Sequence, residues 1–63
     1  MDIKDINFVL KFYKQTLALQ KMGAEYKNDF IRYGLWTDYQ EEEILKIPET
    51  EKMILCVEAI KDG

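Results

Sequence analysis

The sequence predicts an all-α fold, a small helical bundle or hairpin in which two shorter helices pack against a long N-terminal helix. Three observations lead to this class. Apolar residues recur at helical rather than alternating spacing through the first 33 residues. Glycine and proline are rare, and Gly34 and Pro48 fall between the periodic segments. A capping-box pattern, Thr37 followed three residues later by Gln40, marks the start of a new helix.

The first predicted helix covers residues 3–33. Asp2 is a suitable N-cap, and Asp5 adds negative charge in the first turn. One apolar row, which we call the aromatic stripe, follows the helical period: Phe8, Phe12, Gln15, Leu19, Met22, Tyr26, Phe30 and Tyr33. Because the stripe keeps its phase through Gly23, we expect the helix to continue past this glycine. A break at Gly23 is the alternative, since glycine is favoured just beyond helix C-termini.

The second predicted helix covers about 38–46. Gly34 follows the last stripe residue and is the predicted stop of the first helix. The Thr37–Gln40 capping box then starts the second helix, and acidic residues in its first turn suit the helix dipole.

The third predicted helix covers about 49–61. Pro48 disfavours a helical conformation at Ile47 and suits the first turn of a helix. One face of this helix is apolar and is predicted to be buried: Met53, Cys56, Val57 and Ile60.

The opposite side of the first helix carries a second apolar row, which we call the seam: Ile3, Ile6, Leu10, Tyr13 and Leu17. Its steps of three and four residues are those of a coiled-coil contact. A helix with two apolar faces must cover both, and only residues 38–62 remain to do so. We expect the returning helices to cover the aromatic stripe and the seam to contact another chain. The alternative is a three-helix bundle whose short helices cover both faces.

Length and composition favour association. A chain of 63 residues is predicted to be a single helical domain, 1–63, of marginal stability. Its single cysteine excludes an internal disulfide, and the absence of histidine argues against a structural zinc site. A second subunit is the remaining common supplement to a small core, so we expect a homodimer.

The charge is unevenly distributed, with a net of +2 over 1–35 and −5 over 36–63. Such polarity aligns two chains head to tail or attracts a basic partner. Trp36 and Tyr39 lie near the predicted turn, and such residues are enriched at interface hot spots. Beside the seam, they belong to a second and weaker candidate contact patch: Trp36, Tyr39, Glu42 and Glu43.

No catalytic, metal-binding or cofactor-binding pattern is evident. Consecutive carboxylates at 41–43 point in different directions on a helix, and Cys56 lacks a histidine to activate it. We therefore expect a non-enzymatic regulatory protein that binds another protein, as an adaptor or inhibitor. The alternative is a dimeric nucleic-acid-binding protein using a lysine face, although the acidic second helix opposes it: Lys4, Lys11, Lys14 and Lys21.

The sequence predicts a cytoplasmic protein without a membrane contact. No apolar run approaches the roughly 20 residues that span a bilayer, and the charged N-terminus lacks the apolar core of a signal peptide. A single thiol fits a reducing compartment. Lysine outnumbers arginine eight to one, which is typical of AT-rich coding DNA such as that of low-GC bacteria and phages.

Overall fold

A computed structural model describes residues 2–63, which form four helices and no strand. The helices are α1 (Ile3–Glu25), α2 (Lys27–Arg32), α3 (Asp38–Leu45) and α4 (Ile47–Asp62). The predicted all-α fold, with a long first helix packed by shorter ones, is confirmed.

The long predicted helix is divided at Tyr26 and not at Gly23. α1 passes through Gly23 in helical conformation, and Tyr26 has φ −98° and ψ 10°. The backbone N–H of Tyr26 donates to the Met22 carbonyl at 3.0 Å, and that of Phe30 donates to the Tyr26 carbonyl at 3.0 Å. These four-residue steps keep α2 nearly in phase with α1, so the aromatic stripe continues across the junction.

Gly34 is the stop that the sequence predicts, and it ends α2 in a Schellman motif. Its φ of +70° lies in the left-handed region that glycine adopts without steric cost. The N–H of Gly34 donates to the Ile31 carbonyl at 3.0 Å, and the N–H of Leu35 donates to the Phe30 carbonyl at 2.8 Å. This pair of hydrogen bonds satisfies the carbonyls that the helix end leaves free.

The predicted capping box forms at the start of α3. The backbone N–H of Gln40 donates to Thr37 Oγ1 at 3.3 Å, and the backbone N–H of Thr37 donates to Gln40 Oε1 at 2.8 Å. The other predicted N-cap, Asp2, occupies its position, but within residues 2–63 its side chain makes no capping hydrogen bond. Pro48 lies in the first turn of α4, as predicted, but the helix begins one residue earlier, so the expectation of a non-helical Ile47 is wrong.

α4 returns antiparallel to α1. Lys14 pairs with Glu58 at 3.4 Å, and Lys21 pairs with Glu51 at 3.8 Å, so residue numbers fall along one helix as they rise along the other. The buried apolar core lies between these two helices and consists of Ile6, Leu10, Ile54 and Val57, with Val9, Tyr13 and Leu17 partly buried against it.

The buried face of α4 differs from the predicted one. Val57 is buried as expected, but Met53, Cys56 and Ile60 are exposed. The face toward α1 instead contains Thr50, Ile54 and Val57, which recur at steps of four and three. Thr50 is compatible with burial because its hydroxyl donates to the Lys46 carbonyl at 3.1 Å. The prediction of a buried Cys56 thiol is therefore wrong.

Candidate protein-binding surface

The seam of α1 is occupied by α4, which corrects the predicted assignment of faces. Ile6 and Leu10 are only 7% and 8% exposed, and Tyr13 and Leu17 are half-buried against the same core. Of the five seam residues, Ile3 alone is largely exposed. The seam is therefore the intramolecular core face over most of its length, and the expectation that it is left for another chain is wrong.

Two ion pairs accompany the packing of α4 on this side of α1. Lys14 and Lys21 lie along the edge of the seam, seven residues apart, and their partners Glu58 and Glu51 have the same spacing on α4. Each pair is half-exposed and contributes little alone. Both pairs form in one antiparallel register, so the charge pattern is compatible with the observed packing.

The aromatic stripe is the face of α1 that stays uncovered. Phe8 is 71% exposed and Leu19 is 63% exposed, and the side chains of Phe12, Met22 and Tyr26 are also classed as exposed. At 100° per residue these positions form one row along about 27 Å of helix. Single exposed apolar residues are ordinary, but a contiguous row is typical of a binding surface.

A groove of about 570 Å³ runs beside the stripe, between α1 and α3. Phe12, Leu19 and Met22 line it from α1, and Tyr39 and Ile44 line it from α3. Its volume lies within the roughly 300–1,000 Å³ typical of ligand pockets. The groove extends the apolar stripe sideways, so the uncovered surface is wider than one helix face.

Gln20 forms part of the floor of this groove. It is only 5% exposed, and its Oε1 has no hydrogen-bond partner in the described part of the chain. A buried acceptor without a donor costs about 1–3 kcal/mol. At this end of the α1–α3 contact, a buried polar atom therefore lacks the hydrogen bond that it requires.

The second predicted patch is divided between different environments. Trp36 is half-buried and donates from Nε1 to Glu41 Oε2 at 3.0 Å. Lys27 pairs with the same carboxylate oxygen at 2.8 Å and lies 5.4 Å from the centre of the Trp36 ring. Trp36 thus ties α3 to α2, and its predicted role as a protein-contact residue stays a prediction.

The remaining members of this patch also separate. Tyr39 is exposed and lines the groove. Glu42 is exposed, whereas Glu43 is half-buried, lines the groove and pairs with Lys46 at 3.1 Å. Tyr39 and Glu43 therefore adjoin the uncovered apolar surface, and Glu42 does not line the groove.

The Lys27–Glu41–Trp36 contact predicts that Glu41 makes part of the folding stability dependent on pH. The hydrogen bonds from Lys27 first, and then from Trp36, lower the pKa of Glu41 below its ordinary value of 4.5. A carboxyl whose pKa is lower when folded contributes stability that is present above its unfolded pKa and lost as pH falls through its folded pKa. We expect Glu41→Gln to reduce the loss of stability below about pH 4.5, measured by urea unfolding with Trp36 fluorescence.

Glu42→Gln is the matched control for this prediction, because it removes the same charge one residue away. The control should lose stability on acidification as the unmodified protein does. Equal acid sensitivity of Glu41→Gln and the unmodified protein would show that Glu41 does not carry this effect.

The candidate lysine face for nucleic acid is partly neutralised. Lys14 and Lys21 pair with carboxylates of α4, whereas Lys4 and Lys11 form no ion pair within residues 2–63. Two lysines on a chain of net charge −3 make a weak electrostatic contact with phosphate.

Other classes of site gain no support from the geometry. Within residues 2–63, no three acidic or thiol side chains gather closely enough to hold a metal ion. None of the helices in this range combines the length and apolar character needed to cross a membrane. Comparison of the chain with family models, curated proteins and solved structures finds no match. The aromatic stripe and its groove are therefore the features from which function is inferred.

Proposed function

We propose that this chain is a small non-enzymatic regulatory protein, of the adaptor or inhibitor type, that binds another protein through the aromatic stripe of α1. The observation that carries this proposal is the exposure of the stripe from Phe8 to Tyr26 beside an apolar groove. The binding face is thus opposite to the one that the sequence predicts, while the class of function is the same.

Energetics supports a protein partner. Burying a large apolar side chain stabilises a complex by about 1.5–3 kcal/mol, and several such side chains are available in one row. Aromatic residues and methionine are enriched in the centres of protein interfaces, and the stripe contains Phe8, Phe12, Met22 and Tyr26. A helical apolar row with anchors three and four residues apart suits contact with another helix.

A pair of matched leucine substitutions tests the binding face. Leu19 on the stripe is 63% exposed and Leu55 on the outer side of α4 is 66% exposed, so each can be changed to Asp at similar cost to folding. We expect Leu19→Asp to weaken partner binding by about 30-fold, the effect of losing an interface hot spot. Leu55→Asp should bind as the unmodified protein does.

The measurement is quantitative capture of proteins from cells that express the chain, with helicity checked by circular dichroism. Partners identified with the unmodified protein are then titrated against both variants. Equal loss with Leu55→Asp, or no loss with Leu19→Asp, contradicts binding through the stripe.

A further inference from the structure

The chain exposes more surface than a compact protein of its mass. Its accessible surface is 5132 Å², whereas a compact monomer of 7.5 kDa exposes about 4,250 Å². Its radius of gyration is 14.4 Å, against about 10.6 Å for a compact domain of this length. The excess of roughly 900 Å² is close to the ~800 Å² that each partner buries in a standard protein–protein interface. The chain as a whole thus exposes an excess of surface comparable to what one partner buries in a standard dimer.

Charges along one edge of the stripe indicate the direction of such a contact. Lys11 and Glu25 are 14 residues apart, so they lie at the same edge, with Ala18 midway between them. Both charged side chains are exposed, and neither forms an ion pair within the described residues. This edge thus carries a basic side chain toward the N-terminus of α1, a small side chain at its centre and an acidic side chain toward the C-terminus.

We infer that the stripe binds a second copy of this chain, with the two α1 helices antiparallel about a two-fold axis that passes near Ala18. This inference rests on the proposed function and names its partner. In the register that places Phe12 opposite Met22 of the second copy, Phe8 lies opposite Tyr26 of the second copy. A two-fold axis perpendicular to both helices keeps the same edge of each stripe on one side.

The antiparallel arrangement pairs opposite charges. It places Lys11 of each copy beside Glu25 of the other, which gives two ion pairs in one dimer. A parallel arrangement instead sets Lys11 beside Thr16 and leaves both charges without a partner, because the flanking positions of parallel coiled coils meet five residues apart. Lys4 meets both Asp29 and Arg32 of the second copy in the antiparallel arrangement, so it favours neither direction.

The groove between α1 and α3 fits the same register. Phe8, the most exposed aromatic residue of the stripe, is brought over the part of the second copy near Gly23, where the groove lies. Open space surrounds Gly23, since a side-chain carbon built there meets nothing within 4 Å. The aromatic ring of one copy thereby covers the apolar opening of the other, and the reverse contact follows by symmetry.

Charge reversal tests both the partner and the direction. Dimer dissociation constants are measured by sedimentation equilibrium for the full chain, for Lys11→Glu, for Glu25→Lys and for an equimolar mixture of the two variants. We expect each single variant to dimerise about tenfold more weakly, because two attractive contacts become repulsive. The mixture should associate more tightly than either variant alone, since the heterodimer restores opposite charges. These differences should shrink in 1 M salt.

Lys52→Glu is the matched control, because it makes the same charge change at an exposed position of α4. Its dissociation constant should equal that of the unmodified protein. If the unmodified protein remains monomeric at millimolar concentration, self-pairing is overturned, while loss of a foreign partner by Leu19→Asp would leave the proposed function standing. If the dimer forms but Lys11→Glu behaves like Lys52→Glu, the antiparallel arrangement is overturned. If Leu19→Asp changes neither self-association nor capture of other proteins, the proposed function itself fails.

Discussion

Leu10→Ala is expected to destabilise the protein by about 2–5 kcal/mol, whereas Leu19→Ala should change stability by less than about 0.5 kcal/mol. Leu10 is 8% exposed in the core between α1 and α4, and Leu19 is 63% exposed on the stripe of the same helix. A single core of this size supplies only about 3–5 kcal/mol in total. Leu10→Ala should therefore unfold a large fraction of the molecules at 25 °C, as measured by circular dichroism during urea titration.

Ile54→Ala provides a second measurement of the same core from the opposite helix. Ile54 is 8% exposed, as is Leu10, so we expect Ile54→Ala to reduce the free energy of unfolding by an amount in the same range. These unfolding measurements are made at micromolar protein concentration, where dimer formation contributes least to the measured stability. A larger loss from Leu19→Ala than from Leu10→Ala would mean that the returning helix covers the stripe and not the seam.

The end of the first helical segment and the start of α3 could be predicted because local chemistry determines them. Gly34 satisfies the helix end with a positive φ, and Thr37 with Gln40 satisfies the start of α3. These signals act within a few residues and need no knowledge of the tertiary fold. The division at Tyr26 was not predicted, because the hydrogen-bond spacing and the side-chain phase continue almost unchanged across it.

The choice between the two faces of α1 could not be made from apolar spacing alone. Seam and stripe both have helical periodicity. Because the stripe has the larger aromatic side chains, the sequence predicts that the stripe is the buried face. The charges agree with the observed choice, since Lys14 and Lys21 are seven residues apart, as are Glu51 and Glu58. These pairs form together in the antiparallel register that places the seam under α4, but exposed ion pairs contribute too little to decide between the faces.

The error in the buried face of α4 has a related cause. A prediction based on hydrophobicity favours Met53, Cys56 and Ile60 over a face that contains a threonine. The structure buries Thr50 because its hydroxyl donates to a carbonyl of its own helix, which reduces the cost of its polarity. Long-range packing, which decides how far each helix is rotated, is not encoded in the local pattern. The same limit explains why the stripe was recognised as apolar but not as the exposed surface.

The two internal glycines are expected to respond to alanine in opposite directions. Gly23 lies inside α1 with open space around it, so Gly23→Ala should stabilise the folded chain by about 0.5–1 kcal/mol. Gly34 has φ +70°, where a side-chain carbon clashes with the backbone, so Gly34→Ala should destabilise it by about 1–2 kcal/mol. Thermal unfolding followed by circular dichroism measures both effects.

The contrast depends on local backbone conformation, because a side-chain carbon added at either position meets no atom within 4 Å apart from the adjacent backbone of its own turn or helix. Both substitutions also reduce the flexibility of the unfolded chain equally, so that contribution cancels between them. Gly34→Asn is the control, since asparagine tolerates the left-handed region better than alanine and should recover part of the lost stability. If Gly23→Ala destabilises the monomer, α1 is not continuous through residue 23. The stripe would then be divided at its centre, and neither the 27 Å row nor the antiparallel register built on it could form.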